Sequence, residues 1–136
     1  MAAITRGDMQ DYAEVQHAEL GVEAGISLAD TTAGIALALN QAVARLGDDT
    51  GNLDAAYALT DYYVLQRIWY ALASRVDFDA TAVKRGRSQV FNQVSLLIED
   101  ATKRCAAAGH AVATEKRVGV VDYNTDYLEP APEEWA

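Results

Sequence analysis

From Asp54 to Ser74 the chain carries neither glycine nor proline and is apolar around most of a helical circumference. Ala58, Tyr62, Leu65, Trp69, Leu72 and Val76 recur at helical spacing and form one stripe. Tyr57, Tyr63, Ile68 and Tyr70 widen it, and only Gln66 and Arg67 interrupt the coverage. A helix with this much greasy surface belongs at the centre of a bundle or between subunits. Everything else in the fold must arrange itself around this third helix.

The neighbouring segments supply the partners. Thr5 to Asp8 is a Thr-x-x-Asp capping pattern, and the short helix that follows has Met9, Tyr12 and Ala13 on one face before Gly21 and Gly25 stop it. Ser27 to Asp30 repeats the pattern ahead of Ile35, Leu39, Ala42, Val43 and Leu46. Gly34 inside that helix costs roughly 1 kcal/mol against alanine and is expected to mark close packing. Gly47 to Asn52 reads as a turn, with Asn52 or Asp54 capping the third helix. Arg75 to Gly86 reads as a linker with Phe78 pointing inward. A fourth helix is expected over 87–108, buried through Val90, Val94, Leu97, Ile98, Ala101, Cys105 and Ala108, with Gly109 as a left-handed stop. The expectation is all-α: a bundle of about four helices over 1–110, then an extended C-terminal arm over 111–136.

That arm has a different chemistry. Val118, Val120 and Val121 have strand character, Tyr123 and Tyr127 are suited to anchoring on a neighbour, and Pro130 and Pro132 forbid a continuing helix. An arm that seeks a partner and a frayed terminus are both compatible with this pattern.

The formal net charge is −9, which argues against nonspecific binding of nucleic acid or an anionic membrane by the chain as a whole. The charge is uneven: up to Thr60 only Arg6 and Arg45 face nine acids, whereas 67–104 holds seven basic residues. Unlike surfaces on neighbouring copies are suited to pairing through such an asymmetry, and ordinary scatter also produces it. One cysteine, Cys105, rules out an intrachain disulfide. No basic-then-apolar leader opens the sequence and no apolar run is long enough to span a bilayer, so the expected setting is inside a cell or a particle built there.

Searching for chemistry yields little. His17 and His110 stand at segment ends without cysteine or carboxylate at metal-ligand spacing, and are expected to be packing or surface residues. Cys105 lies on an apolar stripe and reads as a small buried hydrophobe rather than a nucleophile. Asp48 to Asp54 has oxygen ligands but neither the alternation nor the distal Glu of a calcium loop. Lys84-Arg85-Gly86-Arg87 suits a phosphate or an acidic patch, or equally a solvated linker. Glu99 and Asp100 project in different directions and make no acid/base dyad. No enzyme activity, cofactor or metal is expected.

The order of elements, with Arg75-Val76-Asp77-Phe78 closing one helix and Arg87-Ser88-Gln89-Val90-Phe91 opening the next, resembles the head–tail adaptor (connector) proteins of long-tailed bacteriophages and gene transfer agents. The resemblance implies a virion component at the head–tail neck, assembled in the host cytoplasm. Such adaptors form a homo-oligomeric ring, usually of twelve copies, below the portal protein; they extend the channel for DNA passing without sequence specificity, and contact a tail-side stopper or tail-completion protein. By the same resemblance, Val118, Val120, Val121, Tyr123, Tyr127, Leu128 and Trp135 would dock on the portal, and Tyr57, Tyr63, Tyr70, Arg75, Phe78, Lys84, Arg85 and Arg87 would lie between subunits. The basic run and the acidic Glu133-Glu134 end are not features of that pattern. A DNA-binding regulatory helical protein and another phage morphogenesis part remain the alternatives.

Overall fold

The computed structural model describes residues 3–73 and 81–112, with side chains 73 and 81–88 left out of the description. Four helices account for them: α1 (Arg6–Glu23), α2 (Leu28–Leu46), α3 (Leu53–Ala73) and α4 (Thr81–Ala107). Among the described residues there is no strand. The all-α bundle expected from the periodicity is the observed fold.

The caps read from sequence set where the first two helices start. Thr5 accepts from the Asp8 amide while Asp8 accepts from the Thr5 amide, so two orphan donors are satisfied reciprocally. Ser27 accepts from the Asp30 amide at 3.0 Å, and Asn52 accepts from the Ala55 amide at 3.1 Å to start α3. Gly109, at φ 91°, ends α4 in the left-handed region that a glycine enters without strain.

Helix α3 packs against all three other helices, whereas α2 and α4 hardly meet. Successive neighbours run up and down. α1 lies antiparallel to α2, which places Arg6 at Ala36 and Asn40 and Gly21 at Thr31. α4 lies antiparallel to α3, which places Trp69 at Ser95 and Asn52 at Ala108. The stripe Ala58, Tyr62, Leu65, Trp69 and Leu72 is buried as expected, and Ile68 with it. Trp69 stacks on Phe91 with ring centroids 5.1 Å apart.

Besides Leu97, which was expected on the buried stripe of α4 and is exposed, two expectations are corrected. Thr81 to Gly86 is helix, not linker: α4 begins six residues before Arg87 and runs through Gly86. One glycine costs a helix only about 1 kcal/mol, and a helix of this length absorbs that. Second, the close approach lies at Gly21 rather than Gly34. A Cβ at Gly21 would stand 2.5 Å from Cγ2 of the buried, β-branched Thr31, whereas one at Gly34 would meet only Nε of Arg67 at 3.7 Å. Gly21 therefore lets α1 settle onto α2.

Candidate functional site

Polar side chains converge at three places, each set up by the helix packing. The first is Asp61, halfway along α3 and only 5% exposed. One carboxylate oxygen lies 2.7 Å from His17 Nε2 of α1. The other accepts from the Tyr12 hydroxyl at 2.9 Å and from Arg104 Nη2 of α4 at 2.8 Å. Arg104 also donates through Nε to Asp100, 2.8 Å away and one turn back. Burial pushes the Asp61 carboxyl up, but the hydrogen bonds from His17, Arg104 and Tyr12 outweigh it and hold the group below the usual carboxylate range. A carboxylate has no proton to give, so His17 Nε2 carries the hydrogen of this contact. The other ring nitrogen, Nδ1, is buried without a partner. Burial and the Asp61 charge raise the Tyr12 phenol far above its ordinary value.

These groups are occupied with one another. The carboxylate takes three donors from two helices and neutralises the cation that reaches it, which is how a charge survives in an apolar interior. The cluster pins α1 and α4 to α3. Nearby, burial pushes the Cys105 thiol up to about 11, so it stays protonated near neutral pH and has little nucleophilic character. Among the described residues, no group of His, Cys, Asp and Glu is placed to hold a metal ion.

The second cluster clasps the end of α4 to the turn between α2 and α3. His110 Nε2 lies 2.8 Å from Asp49 Oδ2, Asn52 Nδ2 donates to the Ala108 carbonyl at 3.0 Å, and Arg45 donates to the Ala111 carbonyl. The Asn52 and His110 hydrogen bonds lower the Asp49 carboxyl. Val112 packs against the core beside this clasp.

The third is the outward side of α3. Because α2 and α4 hardly meet, a strip of the central helix lies between them among the described residues: Tyr63, Gln66, Arg67 and Tyr70, at i, i+3, i+4 and i+7. Tyr63 is half-buried, Tyr70 is 48% exposed, and Arg67 is exposed, with its guanidinium passing over Gly34. Gln66 Nε2 is buried without an acceptor.

Of the residues assigned between subunits, Tyr63 and Tyr70 thus share one surface. Tyr57 does not: it packs against Tyr12, ring centroids 4.5 Å apart, on the α1 side. Lys84, Arg85 and Arg87 fall on the first two turns of α4, in the stretch whose side chains are not described. Arg75 and Phe78, and the arm residues Val118, Val120, Val121, Tyr123, Tyr127, Leu128 and Trp135, lie outside the described residues. Sequence reasoning missed both His–Asp pairs. His17 carried a signal, since it extends the buried row Met9, Ala13 and Leu20; an imidazole on that row needs a polar partner across the interface.

No protein-family model, characterised protein or solved structure matches this chain.

Proposed function

We propose that this chain is a structural part of a phage or gene-transfer particle, a head-to-tail adaptor that forms a ring below the portal and joins head to tail. The observation that supports it best is the strip on α3. A central helix has spent nearly all its circumference on its own bundle and still turns two tyrosines and an arginine outward, where a sister copy would cover them. Aromatic side chains and arginine dominate interface energies when they are buried. Head-to-tail contacts between identical copies close into rings when the rotation permits. The arm then supplies the second contact: Val118 to Val121 adds to a portal strand, and Tyr123, Tyr127, Leu128 and Trp135 fill pockets beside it. Ordering the arm costs entropy, which many copies binding together offset through avidity. Channel DNA passes an acidic protein that repels it.

Electron microscopy and native mass measurement of the full chain, alone and with portal, test this reading. Closed rings of fixed copy number seated on the portal are the expected result. A chain that stays monomeric at high concentration and ignores the portal removes it.

One observation favours a second reading, a DNA-binding helical protein: Lys84, Arg85 and Arg87 lie on a helix rather than in a linker. Binding to duplex DNA that weakens with salt, and with neutralisation of those three residues, would select that reading over the first.

A further inference from the structure

The outward strip of α3 has the makings of a receptor, and its ligand lies in the same chain. Every other arginine with a described side chain is engaged: Arg6 with Gln10, Ala36 and Asn40, Arg45 with Ala111, and Arg104 with Asp61 and Asp100. Arg67 makes no hydrogen bond or ion pair among the described residues, in a chain of net charge −9 where acids are plentiful. Beside it Gln66 holds a buried amide donor without an acceptor. Tyr63 and Tyr70 bracket the two. The surface therefore offers an exposed cation flanked by two aromatic rings along about 10 Å of helix.

The segment after Val118 has the complementary set. It holds five acids and no basic residue, with Tyr123, Tyr127 and Leu128 between Asp122 and Glu129. The clasp at Asp49, Asn52 and Arg45 fixes the root of this segment next to the start of α3. From Asn52 to Gln66 the helix climbs about 21 Å at ~1.5 Å per residue. Ten extended residues, from Val112 to Asp122, span roughly 33 Å, which covers that climb with slack. A tether of this length gives an effective concentration in the ~mM range, so in dilute solution the arm of the same molecule outcompetes that of a sister copy.

We infer that in the free chain the acidic–aromatic stretch Asp122 to Glu129 lies on its own α3 strip, with a carboxylate on Arg67 and Tyr127 or Leu128 against the tyrosines. This goes beyond the adaptor reading and stands without it.

The test uses the full chain at low concentration, without portal, so its outcome is independent of the adaptor reading. A spin label on Ala131→Cys spares the buried, protonated Cys105. Amide resonances of Gln66, Arg67 and Tyr70 are expected to broaden at least fivefold more than those of Val15 and Val22 on the far side of α1. Tenfold dilution should not change this. Arg67→Glu should abolish the contrast, and Asp122→Arg with Asp126→Arg in the same chain should restore it. Uniform broadening, or none, overturns the proposal. Broadening that fades on dilution assigns the strip to a neighbouring copy's arm and overturns it equally. An unchanged pattern in Arg67→Glu shows that the charge pairing is wrong.

Discussion

The molecule contains the same pair twice. His17 meets Asp61 at 2.7 Å, and His110 meets Asp49 at 2.8 Å, so by distance alone the two are alike. Their settings differ. Asp61 lies inside the bundle with a phenol and a guanidinium on the same carboxylate, whereas Asp49 sits on a solvent-facing turn with an amide beside it. Inside, any group left alone keeps its desolvation cost; outside, water replaces the lost partner. The short contact is therefore structural in one place and nearly neutral in the other.

Removing the central carboxylate tests the contrast most severely. Asp61→Ala leaves an imidazole, a phenol and part of a guanidinium without their acceptor, and should lower stability by about 3 kcal/mol, read as a shift in denaturant midpoint at unchanged slope. If Asp49→Ala shifts the midpoint as far, the contrast is wrong.

Acid titration comes next in size. The folded-state pKa of Asp61 is depressed, so its contribution is fully present above the unfolded carboxylate value near ~4 and is lost as pH falls through the lower folded value. The acid limb of a stability–pH curve should therefore flatten in Asp61→Asn. Asp49 is shifted in the same direction, but its exposure makes the contribution small, and Asp49→Asn should leave that limb unchanged.

Tyr12→Phe sharpens the inner side, because it removes one of three donors and keeps the ring against Tyr57. About 1 kcal/mol is expected in the same denaturation measurement, and a double-mutant cycle with Asp61→Asn should show coupling. The smallest effect belongs to His110→Ala. Its global midpoint should match the unmodified chain, while hydrogen exchange at Gly109 and Ala111 quickens as the end of α4 opens locally.

The same contrast explains what the sequence made legible. Local features were readable: Thr5 with Asp8, Ser27 with Asp30, Asn52 before α3, and the apolar stripe from Ala58 to Leu72 each act within a turn or two. The start of α4 was not, since Gly86 among Lys84, Arg85 and Arg87 has the composition of a loop, although one glycine costs a long helix only about 1 kcal/mol. Asp61 went unnoticed because its partners stand 43 to 49 residues away, and each of them is unremarkable on its own helix. The available clue was a lone acid amid Thr60, Tyr62, Val64 and Leu65, where an unaccompanied charge is too costly to persist. On the outer strip, Gln66 and Arg67 looked like interruptions in an apolar surface; the packing places them between α2 and α4, with Arg67 exposed.

The clasp at the end of α4 also has a mechanical meaning. A load applied beyond Val112 meets not only α4 but also Arg45 at the end of α2, Asp49 on the following turn and Asn52 at the start of α3. Tension is thus shared by three helices, and the first joint to yield would be this one, with the carboxylate hub at Asp61 still holding α1 and α4 to α3 behind it.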